Sequence, residues 1–196
     1  GPLAPPVPPG STTPRVAIIG SGFGGMGMAA RLKQAGIDTF TVFEKADRVG
    51  GTWRDNTYPG AACDVPSQLY SYSFELNPDW TRSYGHQPEI HRYINDVAVK
   101  YNIEAKTRWG SDVTRAEWNE DENRWHLEVT RNGTTEHYSA RTVVAAAGPL
   151  CEPNLPDIDG KNDQKTRDGV RRFQRDQGLI ADGVAGEKTW TRFFAL

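Results

Sequence analysis

Apolar positions along this chain follow two periods, and the switches between them mark out its elements. Val16-Ala17-Ile18-Ile19 is a short unbroken apolar run, the pattern of a strand buried on both faces. Glycines follow at 20, 22, 24 and 25, and Met26 to Ala35 then reads as a helix closed by Gly36. Thr39 to Phe43 is a second strand, β-branched and aromatic, ending at Glu44. Strand, glycine-rich turn, helix and strand within about thirty residues make one βαβ unit. Residues 46–87 are rich in Gly, Pro, Asp, Asn and Tyr without sustained period, which predicts a long functional loop. Ile90, Tyr93, Ile94, Val97, Ala98 and Tyr101 return to helical spacing, with Pro88 suited to a first turn. Period-two segments follow at Val113–Trp118, Trp125–Val129 and Glu136–Ser139, the last two joined by Asn132-Gly133, a hairpin signal. These predict an antiparallel meander, in which Trp118 and Trp125 are packing residues. Thr142 to Ala147 is another buried strand, running into Gly148.

Both ends differ from this middle. Residues 1–14 hold six of the 13 prolines and read as a flexible arm, and Gly1-Pro2-Leu3 resembles the scar of a cleaved tag. Pro149 to Gly160 is a proline-rich connector, which places a domain boundary near Gly160. Residues 161–196 carry eight basic side chains against five acidic ones, a local charge of +3. The expected fold class is α/β: a Rossmann-like domain over 15–160 with an antiparallel β-meander, then a short α-helical tail over 161–196.

The site chemistry starts from Gly20-Ser21-Gly22-Phe23-Gly24-Gly25, which satisfies GxGxxG between a strand and a helix. Gly20 permits the tight turn, Gly22 lets the backbone approach a pyrophosphate, and Gly25 lets helix and strand pack closely. Glu44 lies nineteen residues past Gly25, at the tip of the second strand, where a carboxylate accepts the hydroxyls of an adenosine ribose. An acid there favours a 2′-hydroxyl over a 2′-phosphate, so the loop suits FAD or NAD better than NADP.

Composition narrows the remaining classes. Lys plus Arg is 23 against 25 for Asp plus Glu, a net charge of −2, so phosphate neutralisation does not drive binding and nucleic acid is not an expected partner. The apolar runs fall far short of a membrane span. Cys63 and Cys151 are too few for a disulfide framework and lack metal-ligand spacing, as do His86, His91, His126 and His137. Two free thiols and no recognisable export signal give a cytoplasmic expectation, with no metal.

Val49-Gly50-Gly51-Thr52-Trp53, Asn56, Tyr58-Pro59-Gly60, Asp64, Ser67 and Tyr70 add a more specific pattern. Pro88-Glu89-Ile90, Val113, Ala147-Gly148 and the connector Pro153-x-x-Pro156-x-Ile158-x-Gly160 extend it. Over about Val16 to Gly160 the chain resembles the flavoprotein monooxygenases, Baeyer–Villiger monooxygenases most of all. That resemblance implies that Gly20, Gly22, Gly25 and Glu44 hold the ADP half of FAD. It further implies that Gly51, Thr52, Trp53, Asp64 and Tyr70 line the flavin, that the Val113 backbone meets the adenine, and that Ala147-Gly148 closes over the cofactor. The family reduces FAD with NADPH, captures O₂ and inserts one oxygen into a ketone. Its fingerprint after Gly160, its second glycine loop for NADPH and its catalytic arginine have no counterpart here, so the expectation is an FAD-binding module incomplete as a catalyst, with catalytic residues unknown. Tyr58, Tyr70 and Trp53 also have a plainer role, packing the long loop, as Asp64 has in a turn.

Gly169-Val170-Arg171-Arg172-Phe173-Gln174, Gly178-Leu179, Asp182-Gly183, Gly186 and Lys188-Thr189-Trp190 resemble the second half of a small helical peptidoglycan-binding domain. That resemblance implies a cell-wall glycan partner. Its competing consequence is a non-enzymatic wall-binding protein, or an engineered fusion, with a vestigial nucleotide site.

Overall fold

The computed structural model describes residues 15–148, 164–185 and 188. The chain divides into two compact units, Gly1–Glu152 and Pro153–Leu196. The N-terminal arm and the expected boundary near Gly160 lie outside the described residues.

The first unit runs β1 (Val16–Ile19), α1 (Phe23–Gln34), β2 (Phe40–Phe43), α2 (Thr52–Asp55), α3 (Gln87–Lys100), a 3₁₀ turn (Glu104–Lys106), β3 (Thr107–Arg108), β4 (Ser111–Asn119), β5 (Arg124–Arg131), β6 (Thr134–Ala140) and β7 (Thr142–Ala145). A parallel sheet is ordered β3-β2-β1-β7, and β4-β5-β6 form an antiparallel meander. This is the α/β architecture expected from the sequence.

Alternation along β1 and β2 explains the layering. Ile18, Phe40 and Val42 pack with Met26, Ala29 and Ala30 of α1 and with Ile90, Ile94, Val97 and Ala98 of α3. Ala17 and Phe43 point the other way, into a second cluster with Leu127, Val129 and Ala140 of the meander. Strands buried on both faces cannot show a polar alternation, which is why β1 reads as a continuous apolar run and β2 as a β-branched and aromatic one.

α1 and α3 are closed by one device. The Ile37 N–H donates to Leu32 O and the Gly36 N–H to Lys33 O, with Gly36 at φ +72°. α3 repeats it at Ala98, Val99 and Ile103, with Asn102 in the left-handed position at φ +50°. Both are Schellman closures, which need a residue tolerating positive φ just past the helix.

Several boundaries differ from the sequence expectation. α1 begins at Phe23 rather than Met26, because Gly24 and Gly25 lie inside its first turn. β7 stops at Ala145, where the chain turns across the glycine loop. β3 has only two residues, too short for any periodicity, and exists because Thr107 and Arg108 pair with Val42 and Phe43 of β2. The long segment 46–87 is irregular apart from α2, and aromatic packing holds it. The Tyr72 hydroxyl donates to Phe23 O at 2.6 Å, the Tyr72 N–H to Tyr93 Oη at 2.8 Å, and the Tyr93 hydroxyl to Glu75 O at 2.6 Å. At the meander, Trp118 and Trp125 pair across strands with ring centroids 5.8 Å apart.

In the second unit, α4 spans Gln164–Asp176 and ends in a third Schellman closure, with Gly178 at φ +68°. Gln174 is its buried anchor. Its Oε1 accepts from the Gly183 N–H at 2.9 Å, and its Nε2 donates to Asp182 Oδ1 at 2.8 Å and to Val184 O at 3.0 Å. One amide thereby fixes the Asp182-Gly183 turn, where Gly183 takes φ +79°. Trp190 of the tail pattern falls outside the described residues. No helix among the described residues is long and apolar enough to cross a membrane.

Candidate functional site

The glycine loop sits where the sheet reverses its winding. β2 and β3 lie on one side of β1 and β7 on the other, so the crevice beyond the carboxyl end of β1 is a topological switch point. Each motif glycine there has a distinct steric reason. A Cβ on Gly25 would lie 1.9 Å from Gly20 O, and one on Gly20 would lie 2.7 Å from Ala146 O, so both positions are filled by backbone. Gly22 differs: the nearest atom its Cβ would meet is Gly51 Cα, at an ordinary 3.5 Å. Gly22 is also the N-cap of α1, at φ −75°, with no side chain capping it and no acid in the first turn. The initial N–H groups of a helix lack intrahelical acceptors, and with the dipole's positive end they form an anion cradle. An acidic cap would compete with a pyrophosphate there, and none is present.

Gly51 belongs to the same cradle. A Cβ on it would come within 2.9 Å of Gly22 Cα, its φ is +53°, and the neighbouring Gly50 N–H donates to Ser21 O at 3.1 Å. The Gly-Gly-Thr-Trp segment thus docks directly on the phosphate loop and starts α2. Thr52 opens that turn, and its carbonyl accepts from the Asn56 N–H and from Asn56 Nδ2, both at 3.0 Å.

Glu44 is buried, and the structure fills all its acceptor positions from the protein. Oε2 accepts from the Ser21 N–H at 2.8 Å and Ser21 Oγ at 2.7 Å; Oε1 accepts from the Ala46 N–H at 2.9 Å and Arg54 Nη1 at 3.1 Å. Burial by itself pushes this carboxyl up, but the bonds from Ser21 and Ala46, with the Arg54 charge, outweigh it and hold the group below its ordinary value. Arg54 is the residue beside Glu44 that sequence reasoning missed. Its side chain is 7% exposed, its Nε and Nη2 grip both Asp55 oxygens at 2.7 and 2.8 Å, and its Nη1 also reaches Arg48 O at 3.0 Å. The available signal was an Arg-Asp pair inside a stretch otherwise read as loop.

The remaining predicted residues fall into three groups. Trp53 Nε1 donates to Tyr70 Oη at 2.9 Å with the rings edge to face, and Phe23 lies 4.9 Å from the Tyr70 ring. These three side chains join the start of α1 to the long loop, and burial pushes the Tyr70 phenol up. Asp64 is exposed and contributes to that same upward push on Tyr70. Val113 lies on β4 two residues beyond Ser111, whose N–H donates to the Glu44 backbone carbonyl at 2.8 Å, so the strand is pinned to the end of β2. Ala147 and Gly148 are exposed just past β7, and Ala146 before them is the residue that covers Gly20 and Gly24. A separate cleft of about 390 Å³, lined by Glu75, Tyr93, Asp96 and Lys100 among others, contains none of these residues.

Relatives give this geometry its context. A family profile described as an NAD(P)-binding Rossmann-like domain matches residues 18–96. A Baeyer–Villiger monooxygenase of Streptomyces coelicolor is 50% identical over 146 residues, covering 74% of this chain and 27% of that protein. The unit formed by β1 to β7 matches the Baeyer–Villiger monooxygenases. Among solved structures, a cyclohexanone monooxygenase variant from Rhodococcus bound to NADP⁺ superposes with TM-score 0.69 at 38% identity, over 76% of this chain and 29% of that one. The monooxygenase OTEMO, in complex with FAD and NADP, gives TM-score 0.68 at 30% identity, over 76% of this chain and 28% of its own. The chain therefore spans under a third of the length of these monooxygenases. A second profile, for a peptidoglycan binding domain, matches residues 145–193 and so begins at the last residue of β7.

Proposed function

We propose that the first unit binds FAD, with the pyrophosphate on the Gly20–Gly25 loop and the start of α1, and that it serves as the flavin module of a Baeyer–Villiger-type oxygenation of ketones. The observation that carries this reading is the convergence of Gly22 and Gly51 at an uncapped helix N-terminus, beside the carboxylate of Glu44. Bound FAD supplies the redox and oxygen-inserting chemistry; the chain's residues bind and orient it. The first-turn N–H groups of α1 hold the diphosphate. Glu44 receives the ribose, for which Ser21 Oγ is the one donor on the carboxylate that can rotate away. Trp53 and Tyr70, locked to each other, form the wall on the flavin side.

The test is flavin retention. The purified chain is mixed with FAD, freed of excess by desalting and scanned for the visible flavin band, beside a Gly22→Val/Glu44→Ala double variant. A band retained by the native chain and lost in the variant supports the reading. A folded native chain that emerges colourless overturns it.

For the second unit, the profile match at 145–193 favours a separate reading, a cell-wall glycan as partner. Co-sedimentation of the chain with insoluble peptidoglycan tests it: depletion from the supernatant supports glycan binding, and full recovery there rejects it.

A further inference from the structure

The FAD reading does not use Arg54, yet this side chain is the best-anchored cation in the first unit. It is buried with Glu44, at 7% and 5% side-chain exposure, and it makes four polar contacts of 3.1 Å or less. A buried arginine is costly unless all its donors are engaged. Here the fork closes on Asp55 from one side, and Nη1 is left to bridge Arg48 O and Glu44 Oε1. The backbone fixes its start as well, since the Arg54 N–H donates to Gly51 O at 2.9 Å within the loop that covers the glycine cradle.

We infer that Arg54 is a positioning residue for the nucleotide, holding Glu44 ionised and in one orientation so that its carboxylate meets the adenosine ribose. The inference rests on the FAD reading above. A carboxylate accepts a ribose hydroxyl at the position Ser21 Oγ vacates only while deprotonated and only if its plane is set before the ligand arrives. Asp55 in turn holds Arg54, so the order of support is Asp55, Arg54, Glu44, ribose. The other charges nearby act at one remove: Lys45 and Arg48, on the turn before α2, bear on Asp55. The glycine loop brings Ser21 to the Glu44 carboxylate, and β4 brings the Ser111 N–H to the Glu44 backbone carbonyl. β3 brings only the Arg108 backbone, since that side chain turns to Glu136 and Tyr138.

The experiment measures ADP binding by calorimetry from pH 5 to 8 on the full chain and on Arg54→Met, Arg54→Lys and Asp55→Asn. The Glu44 carboxyl carbon is followed by NMR without ligand. Native affinity is expected to be flat across this range. Arg54→Met is expected to lose affinity at least about tenfold at neutral pH, to weaken further toward pH 5, and to raise the Glu44 titration above that of the native chain. Arg54→Lys, which keeps the charge and loses the fork, is expected to restore the flat profile with affinity still about threefold or more below native, and Asp55→Asn to fall between. Equal ADP affinity and profile in native and Arg54→Met overturn the inference while leaving the FAD reading intact. If Arg54→Met does not fold, Arg54→Lys decides, and native affinity in it overturns the inference. A folded native chain that binds no ADP overturns the FAD reading, and the inference falls with it.

Discussion

Gly22 and Gly25 stand three residues apart in one motif, yet the structure gives them different work. Gly25 is required by packing, because any Cβ there collides with Gly20 O. Gly22 has room for a methyl group and ordinary dihedrals, so its smallness matters only to a ligand. Gly25→Ala is therefore expected to destabilise the chain by about 3 kcal/mol or more, a fall of roughly 10 °C in Tm. Gly22→Ala is expected to move Tm by less than about 2 °C while FAD affinity drops tenfold or more. Thermal melts and FAD titrations of the two variants check both halves. The motif was legible in the sequence, and so were the separate roles of Gly22 and Gly25; what was not legible is that Ala146 and Gly51, remote residues that share no local pattern with the loop, close around Gly20 and Gly22.

Among the elements, the meander shows how packing energy is distributed. Leu127 is 1% exposed, at the centre of the cluster between β5 and the parallel sheet, whereas Val99 on α3 is 66% exposed. Leu127→Ala is expected to cost about 2–5 kcal/mol, and Val99→Ala within about 0.5 kcal/mol of nothing, as read from urea midpoints. The Asn132-Gly133 turn, with φ of +50° and +76°, has the two left-handed positions that a tight hairpin needs. Hairpin, strands and helices were legible because their signals are local. The two-residue β3 and the four-residue α2 were not, being shorter than any period and formed by their neighbours.

For the molecule as a whole, buried and paired carboxylates set the acid limit. Glu44 is held low against its own burial, Asp55 by its bond to Arg54, Asp38 by Lys106 and Lys33, and Glu75 by Lys100 and Tyr101. In each case the folded chain binds protons less readily than the unfolded one, so this stabilisation is fully present above the ordinary carboxylate range and is lost as pH falls through the folded values. The urea midpoint is expected to stay level from pH 8 to about 6 and to fall steeply below about pH 4. Glu44→Gln is expected to flatten part of that acid limb, as measured by denaturation at stepped pH.

The sequence by itself determined the βαβ unit, the meander, the phosphate-loop glycines and the acid at the tip of β2, because strand burial, helix closure and tight turns are written in adjacent residues. Tertiary structure decided what surrounds that acid. Folding brings Ser21 and Arg54 to Glu44 from 23 and 10 residues away, and it supplies the donors that hold a buried carboxylate ionised. Such a group is costly unless every lone pair finds a partner, and partners at those distances are chosen by the three-dimensional chain path, which no local period encodes.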